Sequence, residues 1–323
     1  MTSVSSRPVA RLSSPGDLVA TVPSLCGFVP QDSLVLLSLR GARRRLGLTI
    51  RLDLPPPAAA VDVVGALVGR VVQDGGSAAV LVVYADAPER QLAELVQASC
   101  EAAGVRVVEA LHVAGGCWTS YLCAGPCCPT DGTPVGEAPA LVQAEHALDG
   151  RAVLGSRDEL VRALAPPPWP VDVTEARAQW AACSLGQARC AGVALARDAL
   201  AEVAAGGSVS PAAAAGLAVA LHDVQVRDEV ATWALDQDDV LLALVEQVAR
   251  QVGAPWDAPV CTVLAWVAYS RGDGARANVA LERALRSDPT YALALLLQSG
   301  LDGALPPAEV RRLLRDTARA LRR

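Results

Sequence analysis

The run Ala78-Ala79-Val80-Leu81-Val82-Val83-Tyr84 constrains this chain more than any other stretch. It has strand length, is bounded by Gly75-Gly76 and by Asp86, and has no polar alternation that would leave a face in water. It therefore predicts a buried strand, and a buried strand needs covering layers of helix. Ser33 to Leu39 repeats the pattern and is followed by the arginine-rich turn Arg40 to Arg45 and a second strand, Leu46 to Leu54. These two read as an antiparallel hairpin. Val105 to Val113 is a further strand, and Ala58 to Gln73 and Pro88 to Ala103 carry apolar residues at helical spacing. A strand, helix, strand, helix, strand succession predicts parallel neighbours joined by right-handed crossovers.

Ahead of the hairpin, Ser14-Pro15-Gly16-Asp17 opens a short helix to about Cys26, with Ser14 as its cap and Pro15 in its first turn. Beyond the last strand, Gly115-Gly116 turns the chain into Trp118 to Cys123, expected to return antiparallel as an edge strand. After Asp131-Gly132-Thr133-Pro134 the pattern is helical throughout, with one or two helices in Pro139 to Ala165. The stretch Pro166-Pro167-Pro168-Trp169-Pro170 is the best linker candidate and places the boundary between an α/β domain, 1–165, and an all-α domain, 166–323. Helices are expected there at about 174–205, 211–223, 225–235, 238–252, 257–271, 274–286, 290–299 and 307–322. One tetratricopeptide-like unit lies near 257–290. Leu264, Ala265, Ala277, Ala284 and Pro289 fall at its small or apolar positions, and Gly272-Asp273 at its turn. The fold class is thus an α/β N-terminal layered domain with a mixed sheet, followed by an all-α, tetratricopeptide-like helical domain.

Composition excludes several chemistries. The chain has no lysine, so its 28 basic residues are all arginine. Walker-type, kinase-type and Schiff-base lysine mechanisms are impossible. A net charge of −6 argues against nucleic-acid binding, which needs a basic face. No apolar run reaches membrane-spanning length, so no membrane partner is expected. Met1 to Ser14 lacks the pattern of a secretory leader, and cytoplasm is the expected compartment. The bias towards Ala, Val, Leu, Arg and Gly is that of a GC-rich, actinobacterial-type genome. Nine cysteines, an odd number, point to thiols, many of them buried as small apolar groups, and not to a disulfide framework.

Four of those cysteines lie between Gly115 and Pro129. Cys123-x3-Cys127 has the spacing of zinc ligands, and Cys128 adds a third thiol. If Trp118 to Leu122 is extended at ~3.3 Å per residue, Cys117 lies roughly 20 Å from Cys123 and cannot share an ion with it. His112 is equally badly placed, so a fourth ligand must come from elsewhere. Structural thiols in a tight loop are the leading expectation for Cys123, Cys127 and Cys128, ahead of a reversible disulfide and of a zinc site. Arg51, Asp53 and Asp86 end strands and could line a pocket together with Trp118 and Tyr121, since ligands of α/β domains collect at the carboxyl ends of parallel strands. No Gly-rich phosphate loop or nucleophile elbow accompanies them. His112, His146 and His222 are scattered and are expected to be structural. Asp223 and Arg227 stand at i, i+4, the spacing of an expected ion pair on one helix. With Asp228 they are read as a solvated helix face or a buried structural pair and not as a site. The arginines from Arg311 to Arg323 lie on a basic, amphipathic last helix, read as a solvated capping helix.

Together these motifs carry a family resemblance. They are Asp17 with Pro23, Gly27-Phe28-x-Pro30-x-Asp32-Ser33-Leu34-Val35, Arg51-x-Asp53-Leu54-Pro55, Trp118-x-Ser120-Tyr121-x-Cys123, Cys127-Cys128-Pro129-x-x-Gly132-Thr133-Pro134, and Arg227-Asp228. Over nearly its whole length the chain resembles the actinobacterial family called domain of unknown function 4192. That resemblance implies no activity. It does imply that Trp118, Tyr121, Cys123, Cys127 and Cys128 form a family signature in which Cys26 and Cys117 have no part. The expected function is a non-catalytic interaction or regulatory protein holding a protein partner on its helical domain. The alternatives are a small-molecule enzyme or sensor with a pocket at the strand ends, and a thiol redox or metal-binding switch at Cys123 to Cys128.

Overall fold

The computed structural model describes residues 11–123, 125, 128–148 and 152–322, with the side chains of 145–148 left aside. The chain divides into two compact units, Met1–Arg157 and Asp158–Arg323.

The first unit is built on one mixed sheet. Its strands are β1 (Ser33–Arg40), β2 (Arg45–Asp53), β3 (Gly76–Tyr84), β4 (Arg106–Ala114), β5 (Cys117–Ser120) and β6 (Thr133–Pro134), in the order β2-β1-β3-β4-β5-β6. β1 is buried from Ser33 to Leu39 and β3 from Ala78 to Tyr84, as apolar runs without alternation require. The expected succession of parallel neighbours is corrected. β2 and β3 do run the same way, but β1 lies between them, antiparallel to both, and β3 with β4 is the parallel pair. The reason is the tight turn after β1, where Gly41 and Arg44 take positive φ values of 65° and 48°. That turn leaves β1 with one open edge, which β3 fills.

Three helices cover the sheet of this unit. α2 (Ala60–Gln73) and α3 (Arg90–Ala102) bury Val64, Leu67, Val68, Val71, Leu92, Val96 and Cys100 against Leu34, Leu36, Leu81 and Val83 on one face. α1 (Pro15–Cys26) packs toward β2 and β4 and begins, as its sequence predicts, with a capping box between Ser14 and Asp17. The outer edge of the hairpin is pinned to the end of α2. There the Asp74 carboxylate takes hydrogen bonds from the Arg40 guanidinium and, at 3.0 Å, from Leu48 N. Gly47 makes this crossing possible, because a Cβ at that position would stand 2.3 Å from Asp74 Oδ2. α4 (Ala140–Leu148) follows the sheet.

The strand expected at Trp118 to Cys123 is also corrected at both its end and its place. It stops at Ser120, whose hydroxyl accepts from Leu122 N and Cys123 N and bends the chain out of the ladder. Nor is it the edge: β6 covers it, and Pro134, lacking an N–H, closes the sheet there.

The second unit is helical. After α5 (Arg157–Ala163) come α6 (Thr174–Ala181), α7 (Leu185–Ala204), α8 (Pro211–Ala220), α9 (Val224–Thr232), α10 (Asp238–Ala249), α11 (Asp257–Ser270), α12 (Gly274–Ser287), α13 (Ala292–Asp302) and α14 (Pro307–Leu321). The single helix expected over 174–205 is two, since Ser184 and Gln187 form a capping box that starts α7 afresh. α11 and α12 pack on each other across Gly272-Asp273. Every residue of α11 is buried, and α8, α9, α10, α12, α13 and α14 surround it. At its start the Arg283 guanidinium donates to Asp257 Oδ2 (2.9 Å), to Leu164 O and to Val252 O (2.7 Å), while Ser287 Oγ donates to Asp257 Oδ1. The proline-rich stretch Pro166–Pro170, expected at the domain boundary, lies inside this unit, tied down on both sides. Leu164 is buried, Pro170 packs on Gly253, and Val171 N donates to Gln251 O at 2.8 Å. Among the described residues no helix is long and apolar enough to cross a membrane.

Candidate functional site

The strand-end residues fall into two separate groups. Asp53 is on β2 and Trp118 on β5, with β1, β3 and β4 between them. Four inter-strand spacings of ~4.8 Å put their backbones roughly 19 Å apart. On the β2 side the Arg51 guanidinium is committed within the fold. Its Nε donates to Ser33 Oγ at 2.9 Å, its terminal nitrogen pairs with Asp53 Oδ1 at 2.8 Å, and its carbon lies 5.4 Å from the Phe28 ring centroid. Burial pushes the nearby Cys26 thiol up to about 12, with Arg51 opposing, so it stays protonated and inert at neutral pH. Burial raises the Tyr84 hydroxyl as well, and among the described residues that enclosed hydroxyl meets no hydrogen-bond partner. Asp86 is exposed on the turn after β3.

The two signature aromatics point to opposite faces of the sheet, because side chains alternate along a strand. Trp118 sits opposite Val113 and against α1, its Nε1 3.6 Å from where a Gly16 Cβ would be, buried and without an acceptor among the described residues. Tyr121 packs on the core beneath α3. Its hydroxyl accepts from Glu89 N at 3.0 Å, at a helix start where no side chain caps the backbone. Burial, mainly, pushes that hydroxyl above its ordinary range. The Tyr121 ring lies 6.1 Å from that of His112, whose Nε2 is 2.8 Å from Ala85 O. The carbonyl can only accept, which makes Nε2 the protonated nitrogen. Tyr121 and His112 together lock the carboxyl ends of β3 and β4 to α3.

The thiol loop between β5 and β6 folds on itself. Gly125 N donates to Cys123 Sγ at 3.4 Å, and Cys128 N to Gly125 O at 2.9 Å. Gly132, at φ 80°, returns the chain so close to β5 that a Cβ there would lie 3.1 Å from Cys117 Cβ. Cys123 and Cys128 are half-buried, while Cys127 lies outside the described residues, as does the His146 side chain. Among the described residues no group of three or more His, Cys, Asp or Glu is placed to hold a metal. Burial pushes the Cys100 and Cys261 thiols up to about 11 and about 12, whereas Cys183 and Cys190 are exposed.

A family model described as Domain of unknown function (DUF4192) matches residues 15–308. The chain belongs to that family. No curated protein and no solved structure matches it.

The helical unit of this DUF4192 chain holds a site that residue-by-residue reading passes over. Thr174, Arg177, Ala178, Trp180 and Ala181 of α6, Val219, His222, Asp223 and Trp256 line an open groove of about 640 Å³. The Arg177 guanidinium lies 5.1 Å from the Trp256 ring centroid, and His222 meets the same ring edge-on at 4.7 Å. Arg177 and Trp180 stand at i, i+3 on one helix, the sequence signal that they share a face. The expected Asp223–Arg227 pair does not form. Asp223 caps α9, accepting from Gln225 N and Val226 N, and pairs with Arg189 at 2.9 Å. Arg227 instead donates to Asp228 Oδ1 and, at 3.0 Å, to Tyr291 Oη.

Proposed function

We propose that this DUF4192 protein is a non-catalytic interaction or regulatory protein that docks a protein partner through its helical unit. One observation carries the reading: Trp169 is 90% exposed on an arch whose two ends are fixed. An indole in water is a standing cost. Covering ~200 Å² of it at ~25 cal/mol per Å² is worth about 5 kcal/mol, enough to anchor an interface. The flanking Pro166, Pro167, Pro168 and Pro170 restrict the backbone, so little entropy is lost when the arch docks. The fitting partner is a protein with an aromatic-lined groove that takes a proline-rich, extended segment. The strand-end alternative has less support, since Arg51 and Tyr121 spend polar atoms inside the fold.

The test is comparative affinity capture from lysate of the source cells with the full chain, Trp169→Ala, and Leu296→Ala as a surface control, each with an unchanged melting temperature. A partner held by the full chain and by Leu296→Ala, and lost from Trp169→Ala, supports the reading. Equal recovery on all three, or none on any, overturns it.

A further inference from the structure

We infer that the groove between α6, the end of α8, the start of α9 and Trp256 is a binding site for a small anionic ligand that carries a flat ring. The inference is independent of the Trp169 arch and fails or holds separately from it. At about 640 Å³ the groove has the size of small-molecule sites, ~300–1,000 Å³. Its walls are two indoles, both half-exposed. Trp180 is seated by a purpose-made contact: Gly192 faces it so closely that a Cβ there would stand 3.0 Å from the ring. The contact is with the benzo end of the indole, and Trp180 lines the groove.

Charge then selects the ligand. Asp223 brings a negative charge, but Arg189 and two backbone N–H groups already neutralise it. Arg177 has no ion-pair partner among the described residues and rests on the face of Trp256. The groove therefore carries one positive charge without an ion-pair partner among the described residues, held over Trp256 and beside the Trp180 indole. A guanidinium over an indole at 5.1 Å keeps its five N–H donors, and a guanidinium can take a carboxylate or phosphate in two parallel hydrogen bonds. His222 adds a polar edge. The residue is exposed, and partial desolvation of its ring, against the field of Asp288, holds it below its usual value. One cation, the Trp180 ring and an imidazole edge complement an aromatic carboxylate or a mononucleotide, and not a polyanion.

Calorimetric titration of the full chain with adenosine 5′-monophosphate and, separately, indole-3-acetate tests this and distinguishes phosphate from carboxylate. The expected result is a dissociation constant below about 1 mM for at least one probe, weakened about tenfold or more by Arg177→Gln. Adenosine and indole, lacking the anion, are expected to bind the parent and Arg177→Gln alike. Arg177 is exposed, so the variant is expected to melt with the parent; a shifted melt is answered by Arg177→Lys, which keeps the charge and is expected to bind more tightly than Arg177→Gln. No binding of either anion at 1 mM, or equal binding by the parent and Arg177→Gln, overturns the inference.

Discussion

Replacing Arg283 by Met tests the account of the helical unit at its most heavily bonded point. The Arg283 and Asp257 side chains are 5% and 3% exposed, and the guanidinium serves three acceptors from three parts of the chain: Asp257, Leu164 and Val252. Methionine matches the stem of the side chain, so packing loss is small, but it strands a buried carboxylate and two buried carbonyls. Breaking a buried pair by removing one partner costs ~3–5 kcal/mol, and each orphaned carbonyl ~1–3 kcal/mol, terms that overlap and do not simply add. A loss of about 4 kcal/mol is expected, which for a unit of this size lowers the melting temperature by roughly 8–16 °C. The assay is urea and thermal unfolding of the full chain, followed by circular dichroism. Arg283→Met combined with Asp257→Asn supplies the control, because the asparagine keeps its contact with Ser287 and carries no charge. The double variant is expected to lose less than the two single losses together, by about 2 kcal/mol. A cost below about 1 kcal/mol for Arg283→Met, or strict additivity in the double variant, would refute the reasoning.

Four further outcomes follow from the geometry. Trp118→Phe is expected to change stability by less than about 0.5 kcal/mol, because Nε1 is buried without an acceptor, whereas Trp118→Ala is expected to cost ~3 kcal/mol or more; thermal melts of the two separate the ring from its N–H. Tyr121→Phe removes the acceptor of Glu89 N and is expected to cost about 1 kcal/mol and to speed amide exchange at Glu89, read by hydrogen exchange. Native-state alkylation read by mass spectrometry is expected to modify Cys183 and Cys190 and to spare Cys26, Cys100 and Cys261 until the chain unfolds. Burial pushes the Asp74 carboxyl up, but the Arg40 and Leu48 bonds outweigh it and hold the group below 3.8. A carboxyl lowered on folding adds stability that is complete above 3.8 and lost as pH falls through the lowered value. Asp74→Asn is therefore expected to be less stable at neutral pH and to show a shallower acid dependence of its urea midpoint.

The elements were legible where one signal dominated. Ala78 to Tyr84 could only be a buried strand, and Ser14-Pro15 with Asp17 could only start a helix, so both stand as expected. Strand order was not legible in the same way. The hairpin turn leaves an open edge on both β1 and β2, and β3 takes the edge of β1, the strand whose apolar run is buried throughout, while the half-exposed β2 stays outside. The end of β5 depends on one hydroxyl, that of Ser120, turning back on the chain, a local bond that apolar patterning does not register. The groove was hidden for a different reason. Arg177 and Trp180 on α6, His222 and Trp256 come from three places in the chain, and only the first two are joined by a local spacing. The Asp223–Arg227 spacing misled because Asp223 is taken up by capping α9 and by Arg189, while the buried Arg227 is taken up by Asp228 and Tyr291.

α11 has a consequence for how this sequence can vary. A helix with one wet side tolerates a gained or lost residue, since the ~100° rotation that follows can bring polar positions to water and be absorbed in the next loop. α11 has no wet side: from Asp257 to Ser270 each position is matched to a neighbour. Adding one residue would turn all later positions to the wrong partners at once, setting Arg283 and Asp257 out of register with the helices that hold them. Substitution of like for like is the route open to this segment, and its length is as much a part of its information as its letters.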